Sequence, residues 1–306
     1  MRILIFGMGA IGSVFAARFS LKHDVVGICR GEHYEKVKRK GLEVKGATEG
    51  LFNIEVYKSV EEIPKKAFDI VIIATKSYEL KKALNIVKRN LSFSYVMTLQ
   101  NGFDVYDILL SNIDRERAIY AITYNAATLV APGIVKHISI GDTIVKSLSG
   151  DPIEKTIVDA LIDVGLPAKT SPDIMRDIWL KGTINCVINP ITALFGKKNG
   201  IIYDKWDLLE DLILGIVEEC VRAAMIHGVY LGEVDKILDL VKRTAKETSE
   251  NMSSMLQDIL KGRKTEIESL NCYVSKVLND KGIKAPYNSV MCTIIKVLET
   301  LHARNA

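Results

Sequence analysis

Proline is scarce, with 7 in 306 residues, and neither it nor glycine and serine gather into a long linker or a low-complexity tract, which excludes collagen-like and linker-rich organisation. The five cysteines, Cys29, Cys186, Cys220, Cys272 and Cys292, form no CxxC and no Cys/His pair at zinc-like spacing. A disulfide miniprotein and a zinc module are thereby excluded, and reduced, mostly buried thiols of a cytoplasmic protein are expected. The histidines, His23, His33, His137, His227 and His302, form no metal constellation, so no metal is assigned. No charge dominates: 41 Lys+Arg against 37 Asp+Glu leave +4, too small a balance to indicate nucleic acid as a partner. No apolar run approaches the ~18–20 residues that span a bilayer. Gly7, Gly9 and Gly12 interrupt the apolar N-terminal stretch, against a signal peptide. What is present is 48% hydrophobic and 25% charged residue, the composition of a globular chain long enough for about two domains.

The first half alternates apolar strand-like runs with amphipathic stretches, the rhythm of a parallel sheet covered by helices. Strands are expected over 2–6, 24–29, 69–74 and 95–99, with a helix over 10–22. Residues 119–130 and 134–140 read as β-structure around a hairpin turn at Ala131-Pro132-Gly133, so the sheet is expected to end in antiparallel strands. From about Asp173 apolar residues recur at three and four positions and strand signals vanish. Helices are expected over 174–194, 208–227, 234–242, 247–260, 266–279 and 286–301. The fold class is therefore α/β, a dinucleotide-binding-type domain over 1–170 followed by an all-α domain over 171–306. Apolar stripes such as Leu208, Leu209, Leu212, Ile213 and Ile216 read as core before they read as an interface.

Gly7-Met8-Gly9-Ala10-Ile11-Gly12 is GxGxxG directly after a strand and opening a helix. The first glycine allows the tight turn, the second lets backbone approach a pyrophosphate, and the third lets helix pack on strand. A carboxylate for the ribose hydroxyl is expected about 20 residues further on in NAD binders. Cys29-Arg30-Gly31 stands there instead, and a cation suits a 2′-phosphate, so NADP(H) is favoured and NAD(H) remains open. Lys76 and Asn101 fall beyond the ends of later strands, where α/β sheets bind ligands, although Asn101-Gly102 is also a common turn dipeptide and Arg30 also suits an ordinary solvated position.

In the helical half, Lys181, Asn185 and Asn189 are four apart and share a helix face among apolar neighbours. Such groups need partners when buried, so a polar ligand or a hydrated seam is expected. Asn189 precedes Pro190, which points to a kink. Ser254 and Asp258 share another face, and Thr265 with Glu268 has the spacing of a capping box. Glu266 in the first turn fits the helix dipole, and only a partner such as Lys181 gives it a chemical role.

These motifs in this order, GMGAIG, Thr75-Lys76, Gln100-Asn101-Gly102, the run from Lys181 through Asn185 to Asn189-Pro190-Ile191-Thr192-Ala193-Leu194, and Ser253-Ser254-Met255-Leu256-Gln257-Asp258 with Thr265-Glu266-Ile267, resemble the ketopantoate reductase (2-dehydropantoate 2-reductase) family over essentially the whole chain. The resemblance implies a Rossmann domain with a helical domain of the 6-phosphogluconate dehydrogenase type. It implies reduction of 2-dehydropantoate to (R)-pantoate with NADPH, on the route to pantothenate and coenzyme A. It also implies Lys181 as proton donor, with Glu266 orienting it and touching substrate. Asn185, Asn189 and Ser254 then bind substrate, Asn101 lies near the nicotinamide ribose and substrate, and Arg30 with Lys76 meets the adenosine phosphate. Asp258 is implied to be structural, and a homodimer is an expectation of the same kind. The alternatives are reduction of another small 2-oxo acid and a non-catalytic NADP(H) sensor.

Overall fold

The computed structural model describes residues 1–150 and 152–303; residues 304–306, the end of the expected helical domain, lie outside them. The chain divides into two units, one of Met1–Gln100 with Val105–Ile174, the other of Asn101–Asp104 with the residues from Met175 onward.

The first unit contains β1 (Arg2–Phe6), α1 (Ala10–Phe19), β2 (Asp24–Ile28), α2 (Gly31–Lys40), β3 (Leu42–Gly46), β4 (Gly50–Phe52), β5 (Glu55–Tyr57), β6 (Ala67–Ile73), α3 (Leu80–Asn90), β7 (Ser92–Thr98), α4 (Val105–Leu110), β8 (Ala118–Thr123), β9 (Ala126–Ala131), β10 (Ile134–Ser139), β11 (Thr143–Ser147), α5 (Ile153–Asp163) and β12 (Ala168–Thr170). Its main sheet has the order β12-β11-β8-β7-β6-β1-β2-β5. The strands from β5 to β8 pair in parallel, and β11 runs antiparallel to β8. Val71, Ile72 and Ile73 are fully buried, as a continuous apolar run covered on both faces requires. On β1, Ile3 pairs with both Val25 and Ile70. Strand β1 thus lies where the order reverses, the point at which open α/β sheets bind ligands.

The expected hairpin exists: β10 runs antiparallel to β9 around Gly133, whose φ of 80° suits glycine. It does not end the main sheet, however. It belongs to a second sheet of order β4-β3-β10-β9, and the single run expected over 119–130 is two strands. Asn125 makes the break, its Nδ2 donating to Thr123 Oγ1 and to the Gly141 carbonyl, both at 2.9 Å. The strands β3 and β4 escaped the sequence pattern because β3 is interrupted by Glu43 and Lys45 and ends in glycine, and β4 is only three residues long.

The second unit is helical: α6 (Ile174–Phe195), α7 (Gly200–Asp204), α8 (Trp206–Ile226), α9 (Val234–Glu247), α10 (Ser254–Leu260), α11 (Asn271–Asn279) and α12 (Pro286–Ala303). Helix α6 is continuous through Pro190, as the helix expected over 174–194 requires. Proline cannot donate to the carbonyl four residues back, and that carbonyl, of Cys186, accepts from Asn271 Nδ2 at 2.9 Å. By length and composition α6 is also apolar enough to cross a membrane, contrary to the expectation that no apolar run approaches that length; 72% of its most apolar window is buried inside the protein.

Three further expectations are corrected. The helix over 247–260 is α10 alone, started by Ser253, whose Oγ accepts from Leu256 N at 3.2 Å. The capping box is absent: the chain enters a 3₁₀ turn, Ile267–Ser269, before α11. Thr265 donates through its N–H and its hydroxyl to Glu299 on α12, at 2.7 and 2.6 Å, while Glu268 pairs with Lys296 at 2.7 Å. Cys29, Cys186 and Cys220 are buried free thiols, but Cys272 and Cys292 form a disulfide. Packing of α11 on α12 brings their Cα atoms to 5.0 Å across 20 residues of sequence, within the distance a disulfide spans.

Candidate active site

In the first unit the glycine fingerprint occupies the turn between β1 and α1. Gly7 has φ 103°, and a Cβ there would lie 2.8 Å from Thr75 Cγ2. A Cβ on Gly12 would meet the Gly7 carbonyl oxygen at 2.1 Å, so helix and strand approach only because it is glycine. Gly9 differs: a Cβ there would meet nothing within 4 Å. Gly9 is the N-cap of α1 and makes no side-chain cap. The first N–H groups of the helix have no helical carbonyl to take them, and Gly9 before them is exposed, the arrangement that accepts a phosphate. These residues fit a dinucleotide through backbone: Met8 is buried, covering Gly27 with its side chain, and Ile11 and Ala10 start the helix.

Arg30 is exposed at the N-cap of α2, directly after β2, and Lys76 precedes a short turn after β6. Since β2, β1 and β6 are neighbours, Arg30, the glycine turn and Lys76 follow three adjacent strand ends of one sheet.

In the second unit three segments converge. Asn101, which follows β7 in sequence, groups with the helical unit. Its Oδ1 accepts from Lys181 Nζ on α6 at 2.8 Å, and its Nδ2 donates to Glu266 Oε2 at 3.4 Å. Glu266 is buried and Lys181 half-buried. Burial pushes the Lys181 ammonium down to about 8, against the opposing attraction of Glu266. Desolvation therefore outweighs the carboxylate, and near neutral pH the lysine holds a proton it gives up readily. Continuity of α6 keeps Asn185 and Asn189 on the Lys181 face, Asn189 buried and Asn185 half-buried. Ser254 opens α10 and is half-buried; Asp258 on the same helix is buried, and its carbonyl accepts from Lys261 N and Arg263 N at 3.1 and 2.9 Å.

A buried chain of polar groups supports this unit and was not read from the sequence. Asn271 Nδ2 donates to Asn288 Oδ1 at 2.9 Å, and Asn288 Nδ2 donates to the Glu219 carboxylate at 2.8 Å. Glu219 also accepts from the backbone of Tyr287 and Asn288, capping α12 from another helix. The signal that leads to Asn271 is Pro190 inside a helix, which obliges some other group to satisfy the Cys186 carbonyl.

Two family profiles match, "Ketopantoate reductase PanE/ApbA" over residues 3–150 and "Ketopantoate reductase PanE/ApbA C terminal" over 173–299. The chain belongs to the ketopantoate reductase family. A 2-dehydropantoate 2-reductase of Pyrococcus abyssi is 33% identical across 99% of this chain and 100% of its own length, and that of Pyrococcus horikoshii 32% identical across 98% of each. Among solved structures, a ternary structure of D-mandelate dehydrogenase with NADH and anilino(oxo)acetate superposes with a TM-score of 0.90 at 25% identity, covering 99% of both chains. A ketopantoate reductase of Ralstonia eutropha JMP134 gives a TM-score of 0.89 at 24% identity over 99% of each chain and shares the fold. The ketopantoate reductase family is thus matched in both halves of the chain.

Proposed function

We propose that this protein is an NADPH-dependent 2-dehydropantoate 2-reductase that forms (R)-pantoate, with Lys181 as the general acid. The observation that carries this is the contact of Lys181 Nζ with Asn101 Oδ1 at 2.8 Å beside Glu266, with the lysine held near pKa 8. The names of the curated relatives, full-length at 33% and 32% identity, support the substrate. A nicotinamide dinucleotide, when bound, supplies the hydride. The Gly7 to Gly12 turn holds its pyrophosphate, and Arg30 and Lys76 bind the adenosine end, Arg30 selecting the 2′-phosphate. Asn185, Asn189 and Ser254 hold the 2-oxo acid. Lys181 meets the ketone oxygen, stabilises the charge that develops on it and transfers its proton there. Asn101 and Glu266 orient that ammonium. Lys181 then recovers a proton from solvent. We place the enzyme in the cytoplasm on this small-molecule chemistry, against the general rarity of disulfides there.

Because only the protonated lysine donates, kcat/KM for reduction should stay level below pH about 8 and fall about tenfold per unit above it, following the depressed Lys181. The reverse oxidation needs the free amine and should rise toward the same pH. A reduction profile flat to pH 10 would remove Lys181 from the proton transfer.

The assay that tests the assignment follows nicotinamide absorbance with ketopantoate, NADPH and NADH in parallel, for the wild type and Arg30→Ala. NADPH is expected to be preferred, with the preference lost in Arg30→Ala and NADH kinetics unchanged. Preference for NADH by the wild type overturns the role of Arg30 and keeps the reductase. A second reading, reduction of another small 2-oxo acid with NADH, draws on the likeness to D-mandelate dehydrogenase with NADH and anilino(oxo)acetate. Turnover of phenylglyoxylate in place of ketopantoate would favour it.

A further inference from the structure

The loop that carries Asn101 is anchored through the residue two positions on. Phe103 is buried, its N–H donates to the Ser269 carbonyl at 2.9 Å, and its ring stacks on Trp179 with centroids 4.3 Å apart. Ser269 Oγ donates to Asp104 at 3.2 Å, and Gly102, between Asn101 and Phe103, has φ 133°. The ring lies on bare helix backbone. A Cβ on Gly182 would sit 2.2 Å from Phe103 Cε1, 2.5 Å from Cζ and 3.0 Å from Cδ1. Ordinary carbon contacts lie near 3.5–4.0 Å, so any side chain at 182 displaces the ring by about 1 Å or more. Gly182 is the residue directly after Lys181 on α6.

We propose that Gly182, Phe103 and Trp179 are positioning residues: the ring seated on Gly182 and Trp179 fixes the loop height at which Asn101 meets Lys181. This rests on the assignment of Lys181 as proton donor. Gly182 is thereby explained by the reaction, since a helix interior otherwise favours almost any residue over glycine. A displacement of about 1 Å in a reacting constellation lowers rates by up to ~10²-fold.

The test is a double-mutant cycle on the full chain with ketopantoate and NADPH. Gly182→Ala alone should lower kcat by about 10–100-fold with the dinucleotide Kd unchanged, because the phosphate turn belongs to the other unit. In a Phe103→Leu background, where Cε1 and Cζ, the two atoms nearest the added Cβ, are gone, the same substitution should change kcat by less than about threefold. Equal factors in both backgrounds, or no loss in Gly182→Ala, overturn the proposal. If Gly182→Ala does not fold, Phe103→Leu alone decides: kcat falls with dinucleotide Kd constant, and an unchanged kcat overturns it. A wild type that binds NADPH without reducing ketopantoate overturns the function instead. Positioning is then decided by crystal structures of wild type and Gly182→Ala: opening of the 2.8 Å Lys181–Asn101 contact supports it, and an unchanged contact overturns it.

Discussion

Lys181→Ala should lower kcat for ketopantoate reduction by about 10²–10⁴-fold, the range a positioned general acid supplies, while dinucleotide Kd and melting temperature change little. The loss falls on kcat because the ammonium acts chiefly as charge grows on the ketone oxygen. Folding should tolerate it, because burial disfavours the charged lysine even against the attraction of Glu266. Lys181→Arg should not restore the rate, since a guanidinium retains its proton across the working pH range. Steady-state kinetics with a fluorescence titration of NADPH separate the effects. Activity within threefold of wild type in Lys181→Ala would assign the proton to another donor.

Gly9→Asp should raise the dinucleotide Kd by at least ~100-fold, about 2.8 kcal/mol, without lowering the melting temperature. Space for the side chain exists, because a Cβ at Gly9 meets nothing within 4 Å. Its φ of −75° and ψ of −152° are extended backbone that aspartate adopts, and aspartate is a favoured N-cap, so α1 gains a cap it lacks. The same carboxylate occupies the phosphate position and repels it. Gly12→Ala provides the contrast, since its Cβ meets the Gly7 carbonyl oxygen at 2.1 Å and damages the fold as well as the site. Gly9→Asp that binds NADPH as wild type does would show that the turn holds no pyrophosphate.

The elements with a long unbroken period were legible in the sequence. The run ending in Val71-Ile72-Ile73 and the three- and four-residue recurrence after Asp173 could only be a buried strand and packed helices. The glycine turn was legible too, because backbone geometry at Gly7 and Gly12 leaves no alternative residue. Short elements without a continuous apolar run were not: β3 carries Glu43 and Lys45, and β4 and α7 are three and five residues that open on glycine. Thr265 and Glu268 had the spacing of a cap, yet their partners, Glu299 and Lys296, come from another helix. Cys272 and Cys292 gave no sign of pairing for the same reason.

The sequence by itself determined the two-part architecture, the glycine turn between β1 and α1 and the lysine–asparagine face of α6, because each follows from local periodicity or from what a backbone position permits. Only the tertiary structure decided that Asn101 groups with the helical unit, that Asn271 supplies the donor Pro190 lacks, that Phe103 rests on Gly182 and that burial outweighs Glu266 in setting Lys181 near 8. Each of these depends on groups far apart in sequence meeting where water is excluded, and the strength of an electrostatic or packing interaction is set there by surroundings that no local pattern records.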